Sequence, residues 1–81
     1  MEYIKVYLVD FPHSVDGFTT YYFDEDGMEY YTIFLNSRMN NEKLCKTYDH
    51  EMDHINKRDF SNMIPVQNLE NMRHAGWWKD V

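Results

Sequence analysis

A chain of 81 residues, 43% hydrophobic and 17% aromatic, carries too much apolar side chain for disorder and too little length for more than one small core. Its formal charge of −6 opposes a phosphate backbone, which argues against direct binding of nucleic acid. The lone Cys45 allows no intrachain disulfide, and no apolar run suits a membrane span or a secretory signal, so the expectation is one cytoplasmic domain, residues 1–81, with no membrane partner.

Residues 2–9 alternate, with Ile4, Val6 and Leu8 on one face and Tyr3, Lys5 and Tyr7 on the other, which predicts a strand. Residues 10–17 hold Pro12, Ser14, Asp16 and Gly17 and read as a loop, with His13 as a solvated loop histidine. Residues 18–23 are β-branched and aromatic, a second strand. Asp24 to Gly27 is a hairpin turn in which Gly27 supplies positive φ, and residues 28–35 form the third strand. A hairpin or meander is expected in this half, with the third strand as a possible sheet edge.

A helix follows. Asn40 or Asn41 is its N-cap, Glu42 complements the helix dipole, and Lys57 and Arg58 suit its end. Leu44, Cys45, Tyr48, Met52 and Ile55 fall on one stripe, expected to face the sheet. Lys43, Thr47, His50 and His54 fall on another, with Glu51 between the two, and Asp49 and Asp53 on a solvated face. Residues 58–64 connect to a second, short helix with Pro65 at its first position and Gly76 after its end. Val66, Leu69 and Met72 form its apolar side, with Glu70 and His74 beside it. Trp77-Trp78 read as a lid on the core or as an exposed anchor for a partner.

The most informative stretch is His50-Glu51-Met52-Asp53-His54. For a chain of this composition the H-E-x-x-H pattern arises by chance roughly one time in a hundred. Residues four apart on a helix lie one above the other, so His50 and His54 can present two imidazoles to one zinc ion. Glu51, one residue round, is placed to take a proton from water. A catalytic zinc commonly has three protein ligands. Glu70 is the leading candidate for the third, because packing of the second helix can aim it at the pentad. Asp59 is the alternative: it needs a sharp turn after His54, and no glycine lies between them to make one. His74 is a further candidate, or a group of the outer shell, as is Asp53.

The segment TIFLNSRMNNEKLCKTYDHEMDHI (32–55) resembles the ImmA/IrrE family of zinc metallopeptidases, in its short phage or mobile-element form. Similar features are a strand ending near an Asn, a short linker, the H-E-x-x-H helix, Ile55 after the second histidine, the Asp59-Phe60 pair and a later Glu70. The resemblance implies an α+β, minimal zincin-like fold: a three-stranded antiparallel or mixed sheet packed on the active-site helix, with a short C-terminal helix. It implies His50 and His54 as ligands, Glu51 as catalytic base, Glu70 as third ligand, and a protein substrate such as a helix-turn-helix repressor. Tyr30 or Tyr31 of the third strand, or His74, is offered as an oxyanion donor. Asp49 and Asp53 depart from the family, which more often has small, apolar or basic residues there. The rival reading is a small acidic binding protein or inhibitor whose metal site is structural or vestigial.

Overall fold

The computed structural model describes residues 2–66. They form strands β1 (Glu2–Val9), β2 (Gly17–Phe23) and β3 (Glu29–Asn36), helix α1 (Asn41–Asn56), a 3-10 turn at Phe60–Asn62 and a two-residue strand β4 (Ile64–Pro65). The protein is therefore α+β, with a mixed sheet of four strands in the order β1-β3-β2-β4. Glu70, His74, Gly76 and Trp77-Trp78 lie outside the described residues. No helix among the described residues is long and apolar enough to cross a membrane.

The β2–β3 hairpin forms as its turn chemistry requires. Gly27 sits at φ 81°, and the Asp24 carboxylate accepts the backbone N–H groups of Asp26 and Met28, each at 2.9 Å. The meander does not form. β1 passes over β2 and pairs parallel with β3, Ile4 beside Tyr31 and Val6 beside Ile33. β3 is thus central, bonded to β1 on one side and antiparallel to β2 on the other, and it is no sheet edge. Its composition accounts for this: six consecutive residues from Tyr31 to Asn36 are buried, and a strand apolar on both faces needs cover on both. Asn36, itself buried, pins the crossing loop by donating its side-chain N–H groups to the carbonyls of Pro12 and Val15, at 3.0 and 2.7 Å.

Pro65 does not start a helix. Residues 64–65 pair parallel with Thr20 and Tyr21, and the Val66 N–H donates to the Tyr21 carbonyl at 3.0 Å. Proline tolerates this place because a short edge strand leaves one side of its backbone unpaired.

Helix α1 begins as expected, with the Asn40 side chain accepting the Lys43 N–H at 2.9 Å. It packs on β3 and, less extensively, on β2. Its inward face differs from the expected stripe: Ile55 and Glu51 are buried, Leu44 and Thr47 half-buried, while Cys45 and Tyr48 are exposed. Gly17 permits this rotation. A Cβ there would lie 2.6 Å from the Phe34 carbonyl oxygen, 3.2 Å from a Leu35 methyl and 3.2 Å from the Thr47 methyl. The bare backbone lets the start of β2 slip under Thr47. Beneath the helix Tyr31, Ile33, Leu35, Ile55 and Met63 form the core; on the opposite face Val9 and Phe34 form a smaller one.

Gly17→Ala will destabilise the fold by about 1–3 kcal/mol, the cost of overpacking against backbone, read as a lowered melting temperature. Tyr31 is buried and donates its hydroxyl to Glu29, and burial first, then that bond, pushes its ionisation well above the ordinary 10. A raised phenol supports the fold below its unfolded value and loses that support as pH rises through the folded one. Tyr31→Phe will therefore cost about 1 kcal/mol near neutrality. It will also flatten the decline of melting temperature above about pH 10. An unchanged alkaline slope counts against this role.

Candidate metal centre

Adjacent turns of α1 bring the pentad together. His50 Nε2 and His54 Nε2 lie 3.1 Å apart, and His50, Glu51 and His54 each offer an atom within 4.8 Å of the others. Two nitrogens at that spacing, each at an ordinary zinc–imidazole distance, would subtend about 100° at the ion, close to tetrahedral. These three residues could therefore hold a metal ion.

The two histidines are held unequally. His50 is exposed. The His54 side chain is only 16% exposed, and its Nδ1 lies 3.1 Å from an Asp59 carboxylate oxygen. With Nδ1–H donated to Asp59, the Nε2 lone pair of His54 is left facing His50. Asp59 thus reaches the site, but on the outer nitrogen of the ring, behind His54 with respect to Nε2.

The turn that brings it there is made without glycine. Arg58 takes φ 53°, in the left-handed region. The Arg58 N–H donates to the Ile55 carbonyl at 3.0 Å and the Asp59 N–H to the His54 carbonyl at 2.9 Å, the paired bonds of a Schellman closure. The Arg58 side chain supports the conformation: it reaches Glu2 at 3.1 Å, Glu29 at 2.9 Å and the Ile55 carbonyl at 2.8 Å, with its guanidinium 5.8 Å from the centre of the Tyr31 ring. Asp59 is fixed in turn by the Asn62 amide at 2.7 Å and the Ser61 hydroxyl at 2.9 Å. Those two bonds, then His54, hold its carboxyl below the ordinary carboxylate range, so it is an ionised acceptor at neutral pH. Nothing in the local sequence except the Asp59-x-Ser61-Asn62 spacing of short polar residues marks this cradle.

Glu51 is buried on the inner side of the pair. It accepts the Thr19 hydroxyl at 3.3 Å through Oε1, and its Oε2 lies 4.0 Å from His54 Nε2. Asp53 faces outward and pairs with Lys57 at 3.0 Å, away from either imidazole. His13 is exposed in the loop before β2. Tyr30 donates its hydroxyl to Asp24 at 3.1 Å and Tyr31 donates to Glu29, so both phenols are engaged elsewhere and neither lines the cleft. The cleft is open, about 510 Å³, and runs between α1 and the start of β2, with Gly17, Lys43, Thr47 and Asn62 around the pentad.

Asp59→Ala will weaken metal binding about 10–100-fold, the usual effect of losing a carboxylate behind a ligating histidine, measured by competition with a chromophoric chelator. Asp53→Ala, which removes only an exposed ion pair, will leave it within about twofold. Equal effects of the two would assign Asp59 to the turn alone. No family model matches the chain, and no curated protein or solved structure matches it, so the chemistry rests on these residues themselves.

Proposed function

We propose that the protein is a zinc-dependent metallo-endopeptidase of the ImmA/IrrE kind, with a minimal zincin-like fold, acting in the cytoplasm on a repressor or other regulatory protein. The observation that carries this is the pair of Nε2 atoms 3.1 Å apart on consecutive helical turns, with a buried carboxylate beside them. His50 and His54 would hold the ion. Glu70 is the proposed third ligand and His74 a supporting group; both lie outside the described residues.

When bound, zinc supplies Lewis acidity toward a carbonyl and lowers the pKa of a coordinated water toward neutrality. Glu51 is the base. One of its oxygens is anchored by Thr19 and the other turns toward His54, which places a fixed acceptor beside the site. A carboxylate so placed takes the proton of the attacking water and passes it to the leaving amine. Asp59 keeps His54 oriented while this happens. Among the described residues β4 pairs with β2 at Thr20 and Tyr21, and Gly17 and Phe18 at the start of β2 line the cleft. An extended peptide lying in this cleft would pass in front of the pentad.

The test pairs metal content with hydrolysis. Protein purified without chelator will carry about one zinc per chain in the parent and in Glu51→Gln, and His50→Ala will lose it. Cleavage of candidate helix-turn-helix repressors by Glu51→Gln will fall at least about 100-fold. Hydrolysis by Glu51→Gln at the parent rate would remove Glu51 from the mechanism. A full complement of zinc with no hydrolysis of any regulator would favour the acidic binding protein with a structural metal site.

A further inference from the structure

We propose that the outer edge of β1 is a self-association surface, where two copies of the chain pair antiparallel about a two-fold axis at Val6. Their sheets would then join through this edge.

β1 ends the sheet, and among the described residues no strand pairs with its outer side. It runs for eight residues without glycine, proline or a bulge, and only Lys5 is charged between its ends. Edges that must stay single are usually shortened, bulged or charged, and β1 shows little of this. The opposite edge is shorter and carries Pro65. α1 rests on β3 and β2, so the helix side of β1 is left open, with Val6 43% and Leu8 62% exposed; on its other side Tyr3 is 49% exposed.

The sequence of β1 matches its own reverse. In an antiparallel pair about such an axis, opposed residues lie on the same face of the sheet. Centred on Lys5, the pairing would oppose two lysines and set Leu8 against Glu2, which is unfavourable. Centred on Val6, it opposes Val6 to Val6 and Ile4 to Leu8 on the helix side, and Lys5 to Tyr7 and Tyr3 to Val9 on the other. At the ends Glu2 faces Asp10 of the second copy, with Arg38 paired to Asp10 and Arg58, 3.1 Å from Glu2 and shared with Glu29, beside the two carboxylates. The match of apolar to apolar positions between β1 and its own reverse is what selects a second copy over an unrelated strand. The metal cleft lies on the other flank of α1, beside β2, and stays open in the pair.

The test is the mass of the full chain in solution across a concentration series, by sedimentation equilibrium. The parent will reach twice the monomer mass. Val6→Lys and, separately, Leu8→Lys will each raise the dissociation constant at least about tenfold while leaving circular dichroism and zinc content unchanged. Mixing Val6→Lys with Val6→Glu will restore the dimer, because position 6 faces itself across the axis. A parent that stays monomeric at every concentration overturns the proposal. So does a dimer insensitive to both substitutions, or a charge-swapped mixture that stays monomeric.

Discussion

Arg58 is the residue on which the arrangement of the site turns. A left-handed conformation at a non-glycine residue costs on the order of 1–2 kcal/mol. Here it persists because one guanidinium joins the end of α1 to Glu2 of β1, to Glu29 of β3 and to the face of Tyr31. The same conformation, one residue after the C-cap Lys57, closes the helix and reverses the chain. Asp59 is thereby carried back to His54. Tertiary contacts that stabilise the sheet thus also set the ligand geometry. A glycine at this position would relax the backbone and dissolve the tie between sheet and helix end.

The pentad itself shows how burial divides labour among neighbours on one helix. Glu51 lies inward under α1, where a buried carboxyl group requires a hydrogen-bond partner, and the Thr19 hydroxyl of β2 provides one. His54 sits at the margin with its outer nitrogen engaged. His50, one turn earlier, is exposed. A metal ion would therefore meet one ligand already oriented and one whose rotamer it must order. Affinity in such a site depends strongly on the support behind the fixed ligand, which is Asp59.

Local rules made much of this readable. The Gly27 turn, the Asn40 cap, three strand positions and the i, i+4 histidines all depend on a few adjacent residues, and all stand as expected apart from shifts of a residue at element ends. What the sequence concealed is long-range. Nothing in residues 2–9 says that β1 pairs with β3 and not β2. The expected stripe of Leu44, Cys45, Tyr48, Met52 and Ile55 ranks positions by hydrophobicity, yet Thr47 and Glu51 turn inward because Gly17 makes room for one and Thr19 bonds the other. The reversal at Arg58 was hidden for the same reason: its support comes from Glu2 and Glu29, which are distant in sequence. The resemblance to a metallopeptidase family rested on order and spacing, and those features could not reveal that Asp59 stands behind His54.

Helix α1 also acts as a divider. It is narrower than the sheet, and by leaning toward β2 it encloses the pentad between its histidine flank and the start of that strand. The same displacement strips cover from β1, where Val6 and Leu8 are left in solvent. A polar cleft on one flank and an apolar strip on the other are thus two consequences of a single packing choice, made at Gly17. If the strip is occupied by a second copy, the apolar exposure that the choice creates is absorbed at a surface remote from the cleft. A fold whose described residues leave both flanks of its helix uncovered can in this way keep one open for chemistry and close the other by symmetry.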